Sequence, residues 1–231
     1  MFSLKKDYLF YLLGLLMLTA IAFSPALKGK FLLWDDNVHL TENVALRSLD
    51  AEHVHDMFTQ RVNTIYIPLT TFSFALEYRF FEYKPFAYYL DNLLLHLSVV
   101  VMVFIFLTKL GFSRLISLTA SAIFALHPSR VESVAWITER KDVLYAALYL
   151  LSLLAYMKYI VSARMKPNLL YLMAAVMLGV LSILAKPMAV SLPLIFLLLD
   201  WYTGRGLNKR TILEKVPVFI IMVGICVWGT Y

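Results

Sequence analysis

The chain carries one cysteine, Cys226, in 231 residues. It lies inside an apolar run, so no disulfide can form within one chain. There is no cysteine–histidine cluster of zinc type, no P-loop and no dinucleotide-binding fingerprint. The two-residue alternation of a membrane β-barrel strand is also missing. Polar composition is thin: 61% of residues are hydrophobic and mean hydropathy is +0.75. These values lie outside the range of a soluble domain.

What is present is a series of apolar runs: Tyr8–Phe23, Tyr88–Leu107, Leu115–Leu126, Val143–Ile160, Leu169–Leu184, Met188–Leu199 and Val216–Trp228. A helix needs roughly 20 residues to cross a bilayer; several runs approach that, and two are shorter. Backbone groups in lipid must be satisfied within the segment. The fold class is therefore all-α, a polytopic membrane protein of about seven transmembrane helices. Lys5 and Lys6, the first run and small residues at Thr19, Ala20 and Ala22 resemble a secretory signal peptide. The run exceeds a usual signal core of about 7–15 residues, which favours a retained helix. At the other end the chain stops at Tyr231 with no loop after its last run. Residues 1–231 are expected to be one membrane domain, the front part of a longer protein.

Sidedness follows from lysine and arginine in short loops. Lys5 and Lys6, Lys109 and Arg114, then Lys158, Arg164 and Lys166, then Arg205, Lys209, Arg210 and Lys215 mark alternate loops. They predict a cytoplasmic amino terminus, as in a bacterial-type inner membrane. The inner side then holds only the acids Asp7, Asp200 and Glu214. The net charge of +6 reads as a topology signal and not as a nucleic-acid surface.

The outer loops gather the remaining charge. Asp35 and Asp36 stand just beyond the first run, and acids kept beside lipid are functional suspects. The first outer loop, 27–87, reads as short interfacial helices. Asp50 is placed to cap a helix from Ala51, and Pro68 to start another through Tyr78 or beyond. The second carries Phe72, Phe74, Tyr78, Phe80, Phe81 and Tyr83 with Glu77, Arg79 and Glu82 among them, a pattern that rests in the headgroup layer without chemistry. The second outer loop, 127–142, is HPSRVESVAWITERKD. Pro128 sets a helix boundary at His127. Arg130, Glu132, Glu139, Arg140, Lys141 and Asp142 converge there, which suits binding better than simple anchoring. A third turn is only Ala185-Lys186-Pro187. Its lone Lys186 fits either snorkelling or a fixed cation for a lipid phosphate. Asn92 and His96, one turn apart, suit interhelical hydrogen bonding or substrate contact. His39, His53 and His55 are read as solvated, and no metal set is assigned.

Taken in order, Trp34-Asp35-Asp36, Tyr66-Ile67-Pro68-Leu69-Thr70, Asp91-Asn92-Leu93-Leu94-Leu95-His96, the HPSRVESVAWITERKD loop and LSILAKPMAVSLP at 181–193 resemble the amino-terminal membrane half of the transmembrane, tetratricopeptide-repeat O-mannosyltransferase-like proteins. Those are members of the GT-C superfamily of polyprenyl-phosphate-sugar-dependent glycosyltransferases. Two features depart from the family: Ile67 stands where many relatives carry Arg, and no tetratricopeptide repeat is present. The resemblance implies transfer of a sugar, mannose being the leading candidate, from a polyprenyl-phosphate donor to a hydroxyl of a protein or glycan acceptor on the non-cytoplasmic face. It implies a carboxylate base, Asp35 or Asp36, and cations on the donor phosphate, Lys186, Arg130 and Arg140. His127, Glu132, Asp142, Asn92 and His96 are the expected supporting residues. The bilayer and the lipid-linked donor are the implied partners; no cofactor is assigned, and a divalent metal is left open. The alternative reading is a non-catalytic scaffold or an inactive fragment of such a transferase.

Overall fold

The computed structural model describes residues 6–163 and 167–230. Lys5, Arg164, Lys166 and Tyr231, used above for sidedness and chain length, lie outside them. Among the described residues eleven α-helices follow one another: α1 (Lys6–Phe23), α2 (Ala51–Thr59), α3 (Pro68–Phe81), α4 (Pro85–Lys109), α5 (Arg114–Leu126), α6 (Arg130–Ala135), α7 (Arg140–Ala163), α8 (Leu169–Ala185), α9 (Leu192–Tyr202), α10 (Lys209–Leu213) and α11 (Val216–Thr230). Their only strand-like pairing among these residues is an isolated bridge between Val62 and Ile65.

Every apolar run is helical, Met188–Leu199 starting in a 3-10 helix (Pro187–Ser191) and continuing into α9. Four stretches, Tyr8–Lys28, Pro85–Lys109, Ile137–Ala163 and Lys209–Gly229, are long and apolar enough to cross a membrane. Arg114–Leu126, Leu169–Ala185 and Pro187–Tyr202 are shorter apolar helices. With 13 residues, α5 extends about 20 Å against a hydrocarbon core of about 30 Å. The all-helical membrane class holds, while four of the expected seven helices have full spanning length.

Helix starts follow local chemistry. Asp50 Oδ1 accepts from the His53 amide at 2.9 Å, capping α2 as its position predicts. Pro68 opens α3 and Pro85 opens α4, where a missing N–H costs nothing. Ser113 caps α5 and Asn168 caps α8.

The largest core lies between α7, α8, α9 and α11. There is little hydrophobic drive between helices in lipid, so close packing and interhelical hydrogen bonds hold them. Gly179 of α8 permits the approach: a Cβ there would sit 2.6 Å from Leu192 and 2.7 Å from Met222. Ser152 Oγ donates to the Ala175 carbonyl at 2.6 Å and Ser182 Oγ to that of Tyr145 at 3.0 Å. At the end expected to face the cytoplasm, Asp200 is fully buried. It accepts from Tyr156 at 2.8 Å and pairs with Lys215 and Arg205. Arg205 also pairs with Glu214 at 2.8 Å. Two of the cations read as topology markers therefore hold α7, α9 and α11 together.

The opposite end carries a cap built by the two long loops. Leu40, Leu46, Met57, Phe74, Tyr88 and Ile137 form a second core beneath it. Thr70 Oγ1 of α3 donates to the Ala185 carbonyl at 3.0 Å, fastening this cap to the end of α8.

Candidate functional site

The chain leaves α1 through a 3-10 turn, Ser24–Lys28, and reaches the acid pair in a short helical turn. The two acids part company there. Asp36 is fully buried. Its Oδ2 accepts from the Leu32 amide at 2.9 Å. Its Oδ1 accepts from Trp136 Nε1 at 3.1 Å, the Thr138 amide at 3.3 Å and Thr138 Oγ1 at 3.0 Å. Asp35 is only half-buried, and its carboxylate has no hydrogen-bond or ion-pair partner among the described residues. A π-helical turn, Asn37–Thr41, follows directly. It carries His39 inward to 3% exposure, so the expectation of a solvated His39 is corrected. Burial lowers the His39 pKa from its ordinary value, Lys141 adds to this, and Asp35 and Asp36 oppose it. His53 pairs with Asp50 at 2.7 Å and His55 is exposed.

The start of α7 sends three consecutive side chains to three places. Arg140 is fully buried. Its guanidinium pairs with Glu77, donates to Asn92 Oδ1 at 2.9 Å and to the Tyr88 carbonyl at 2.9 Å, and lies 4.6 Å over the Phe74 ring. Glu77, read as one of several charges on an interfacial helix, is therefore buried; burial pushes its carboxyl up while Arg140 pulls it back. Lys141 pairs with Glu139 at 2.6 Å. Asp142 pairs with Lys186 and accepts from Ser133 Oγ at 3.1 Å.

Lys186 owes its place to Pro187. The residue before a proline is pushed out of helical geometry; Lys186 is extended (φ −155°, ψ 130°) and ends α8. It borders a cavity of about 250 Å³ with Asp142, Ser133, Arg130, His96 and Tyr145. Arg130 reaches Ser129 Oγ at 3.0 Å and lies 5.3 Å over the Phe124 ring. No carboxylate pairs with it among the described residues.

Of the expected site residues, Lys186, Arg130, Asp142 and His96 therefore meet at one cavity. His96 Nε2 bonds the Ala125 carbonyl at 3.0 Å, which is the interhelical role foreseen for it. Asn92 is enclosed, with Nδ2 on the carbonyls of Trp136 and Ile137 at 3.1 and 3.3 Å. Arg140 turns away from the cavity into the Glu77 pair. His127 is exposed, as is Glu132; His127 Nδ1 meets Ser129 Oγ at 2.9 Å. Ile67, the departure from the family pattern, is buried. Trp136 and Thr138, which hold Asp36, and Ser133, which holds Asp142, were not singled out in sequence, where nothing distinguishes them from ordinary loop residues. Among the described residues no three His, Cys, Asp or Glu side chains gather as a metal set would need.

No family model and no solved structure matches this chain. Curated relatives do match. Human protein O-mannosyl-transferase TMTC3 is 35% identical over 100 residues, 43% of this chain and 11% of that protein. Protein O-mannosyl-transferase tmtc2 of Xenopus laevis is 45% identical over 95 residues, 41% of this chain and 11% of that protein. Human protein O-mannosyl-transferase TMTC4 is 26% identical over 222 residues, 85% of this chain but 30% of that protein. The chain thus spans less than a third of the length of the relatives it matches. Its homologues are protein O-mannosyl-transferases of the TMTC family, which is consistent with the resemblance to the amino-terminal membrane half of such proteins.

Proposed function

We propose that this chain forms the donor-binding and catalytic part of a glycosyltransferase that moves mannose from a polyprenyl-phosphate donor to a hydroxyl of a protein acceptor. The observation that carries the reading is the division of labour in the acid pair. Asp36 is fixed by four hydrogen bonds, while among the described residues the carboxylate of Asp35 beside it has no hydrogen-bond or ion-pair partner. A general base must be free to receive a proton, so Asp35 is the base and Asp36 its anchor. The names of the relatives support the sugar and the acceptor class.

The cavity under the second outer loop suits the donor phosphate. Arg130 offers a guanidinium with no carboxylate partner among the described residues, and Lys186 a second cation shared with Asp142. A phosphate entering there opens the Lys186–Asp142 pair and takes its place, gaining charge-assisted hydrogen bonds that strengthen as the phosphate leaves the sugar. Asp142 then remains on Ser133. Arg140, Asn92 and Glu77 shape the roof and touch no ligand. The lysine and arginine pattern supports a cytoplasmic amino terminus with this face outward. A cysteine replacing the exposed Glu132, in a chain lacking Cys226, reacts with an impermeant thiol reagent in intact cells if that orientation holds, and stays unlabelled if it is reversed.

The test of the function is transfer itself. The complete reading frame in proteoliposomes, given labelled polyprenyl-phosphate-mannose and a serine- and threonine-containing peptide, is expected to label the peptide. Labelling only from a different sugar donor would change the sugar assignment. No labelling from any polyprenyl-phosphate donor would overturn the reading in favour of a non-catalytic scaffold.

A further inference from the structure

The segment that leads from α1 to the acid pair is pinned at both ends and stands out between them. At its base the Lys30 carbonyl accepts from Tyr89 Oη at 2.9 Å. Gly29 lies so close to the Tyr89 ring that a Cβ would sit 2.6 Å from it, and the Phe31 ring meets the Tyr88 ring edge-on at 5.6 Å between centroids. At the other end the Leu32 amide donates to Asp36 Oδ2 at 2.9 Å, which closes a turn over Leu33 and Trp34. The turn leaves their side chains outside: Leu33 is 96% exposed, Trp34 72% and Leu32 48%. A lone exposed apolar residue is ordinary, whereas three in a row on a fixed segment form a patch of the kind that marks an interaction site. Lys28 and Lys30 stand just before it; both are exposed, and no carboxylate pairs with either among the described residues. Tyr88 and Tyr89 lie one turn into α4, which opens at Pro85, so the base of the tip is held about 6 Å along that helix. The helix is one of the four stretches long and apolar enough to cross a membrane. The base of the tip is thus fixed at the level where a spanning helix enters lipid.

We propose that Leu33 and Trp34 form an anchor that inserts into the headgroup layer of the bilayer, with Lys28 and Lys30 on the phosphates of anionic phospholipids. Tryptophan suits that layer, because its apolar body enters the lipid while its N–H stays among polar groups. Lysine lays its stem along apolar surface and keeps its ammonium at the headgroups. From Lys28 to Trp34 the chain holds two lysines and no acid. An apolar tip with a purely basic flank complements an anionic lipid surface, and this charge favours lipid over a protein partner that would need only the apolar patch. Asp35 follows Trp34 directly, so the anchor sets the height of that carboxylate above the lipid. The inference goes beyond the transferase reading and does not depend on it, since it concerns where the loop sits and not what reacts there.

The test uses the complete reading frame, with its other cysteines replaced, in donor-free proteoliposomes of phosphatidylcholine and phosphatidylglycerol. A nitrobenzoxadiazole label is placed on Leu33→Cys and, in a second protein, on Trp34→Cys. Nitroxide-bearing phospholipids report contact with lipid, and aqueous cobalt reports contact with water. Both labels are expected to be quenched by the nitroxide lipids and shielded from cobalt. Nitroxide phosphatidylglycerol is expected to quench more strongly than nitroxide phosphatidylcholine. Lys28→Gln and Lys30→Gln are each expected to lower that preference by about fivefold, with the thermal midpoint unchanged. Labels open to cobalt and untouched by nitroxide lipid would overturn the anchor and leave the tip free for a soluble acceptor. Shielding from both quenchers would put protein over the tip and overturn it as well. Equal quenching by the two lipids, unaltered in the lysine variants, would overturn the anionic partner. Sugar transfer enters none of these readouts, so a failure of the transferase reading and a failure of this inference are told apart.

Discussion

Trp136 and Asp36 stand 100 residues apart in sequence and meet at 3.1 Å, the indole Nε1 donating to the Asp36 Oδ1. With both donors of Thr138 on the same oxygen, this contact joins the loop after α1 to the loop before α7. The loop that carries Asp35 is thereby set against the loop that carries Ser133, Asp142 and Arg130. One acid of the pair joins the two loops, and its neighbour has no hydrogen-bond or ion-pair partner among the described residues.

Asp36→Ala is expected to destabilise the protein. It strands Trp136 Nε1 and both donors of Thr138, and each buried unsatisfied group costs about 1–3 kcal/mol. Asp35→Ala removes no such partner and is expected to change stability by no more than about 0.5 kcal/mol. Thermal unfolding of both variants in detergent checks this. Equal midpoints for the two would contradict the division of roles.

Arg140→Met is expected to cost about 3–5 kcal/mol, because it leaves Glu77 uncompensated in a buried site. Replacing both members, Arg140→Met with Glu77→Met, is expected to recover most of that loss. A double variant no better than the single would show that the arginine acts chiefly through Asn92 and the Tyr88 carbonyl.

These two predictions mark where the sequence stopped being readable. The apolar runs were legible because burial in lipid depends on length and composition, and the caps at Asp50 and Pro68 because they depend on neighbours in sequence. Arg140, Lys141 and Asp142 looked equivalent. On the first turn of a helix consecutive side chains point about 100° apart, so one meets Glu77, one Glu139 and one Lys186. Arg140 and Asp142 are placed by partners from α3, α4 and the end of α8, whereas Lys141 meets Glu139 of its own loop. Asp35 and Asp36 were equally indistinguishable, since the donors that separate them come from Trp136 and Thr138. His39 seemed solvated because a π turn has no sequence signature that would carry it inward.

Lys186→Ala is expected to weaken binding of polyprenyl phosphate by roughly 10- to 150-fold, the equivalent of losing about 1.5–3 kcal/mol of charge-assisted contact. Asp142→Asn leaves the cation and removes its competitor, so it is expected to tighten binding. Competition with a fluorescent polyprenyl phosphate measures both. Loss of binding in Asp142→Asn would mean that the pair acts only as a unit of structure.

Stability is expected to fall as pH drops below the ordinary histidine value of 6.5. The folded His39 has a lowered pKa, so between its folded and unfolded values the unfolded chain binds the extra proton, and stability rises with pH through that window. Above 6.5 the full contribution is present. His39→Phe removes this part of the slope. Thermal midpoints of parent and variant between pH 4.5 and about 7.5 test it, and parallel curves would contradict the buried, neutral ring.

The most direct test of the account is the rate of mannose transfer by Asp35→Asn in the complete reading frame. Loss of a general base is expected to lower kcat by about 100-fold or more, with donor binding and the thermal midpoint unchanged. Transfer at the parental rate by a folded Asp35→Asn protein would contradict the account and move the base to another outer-face acid.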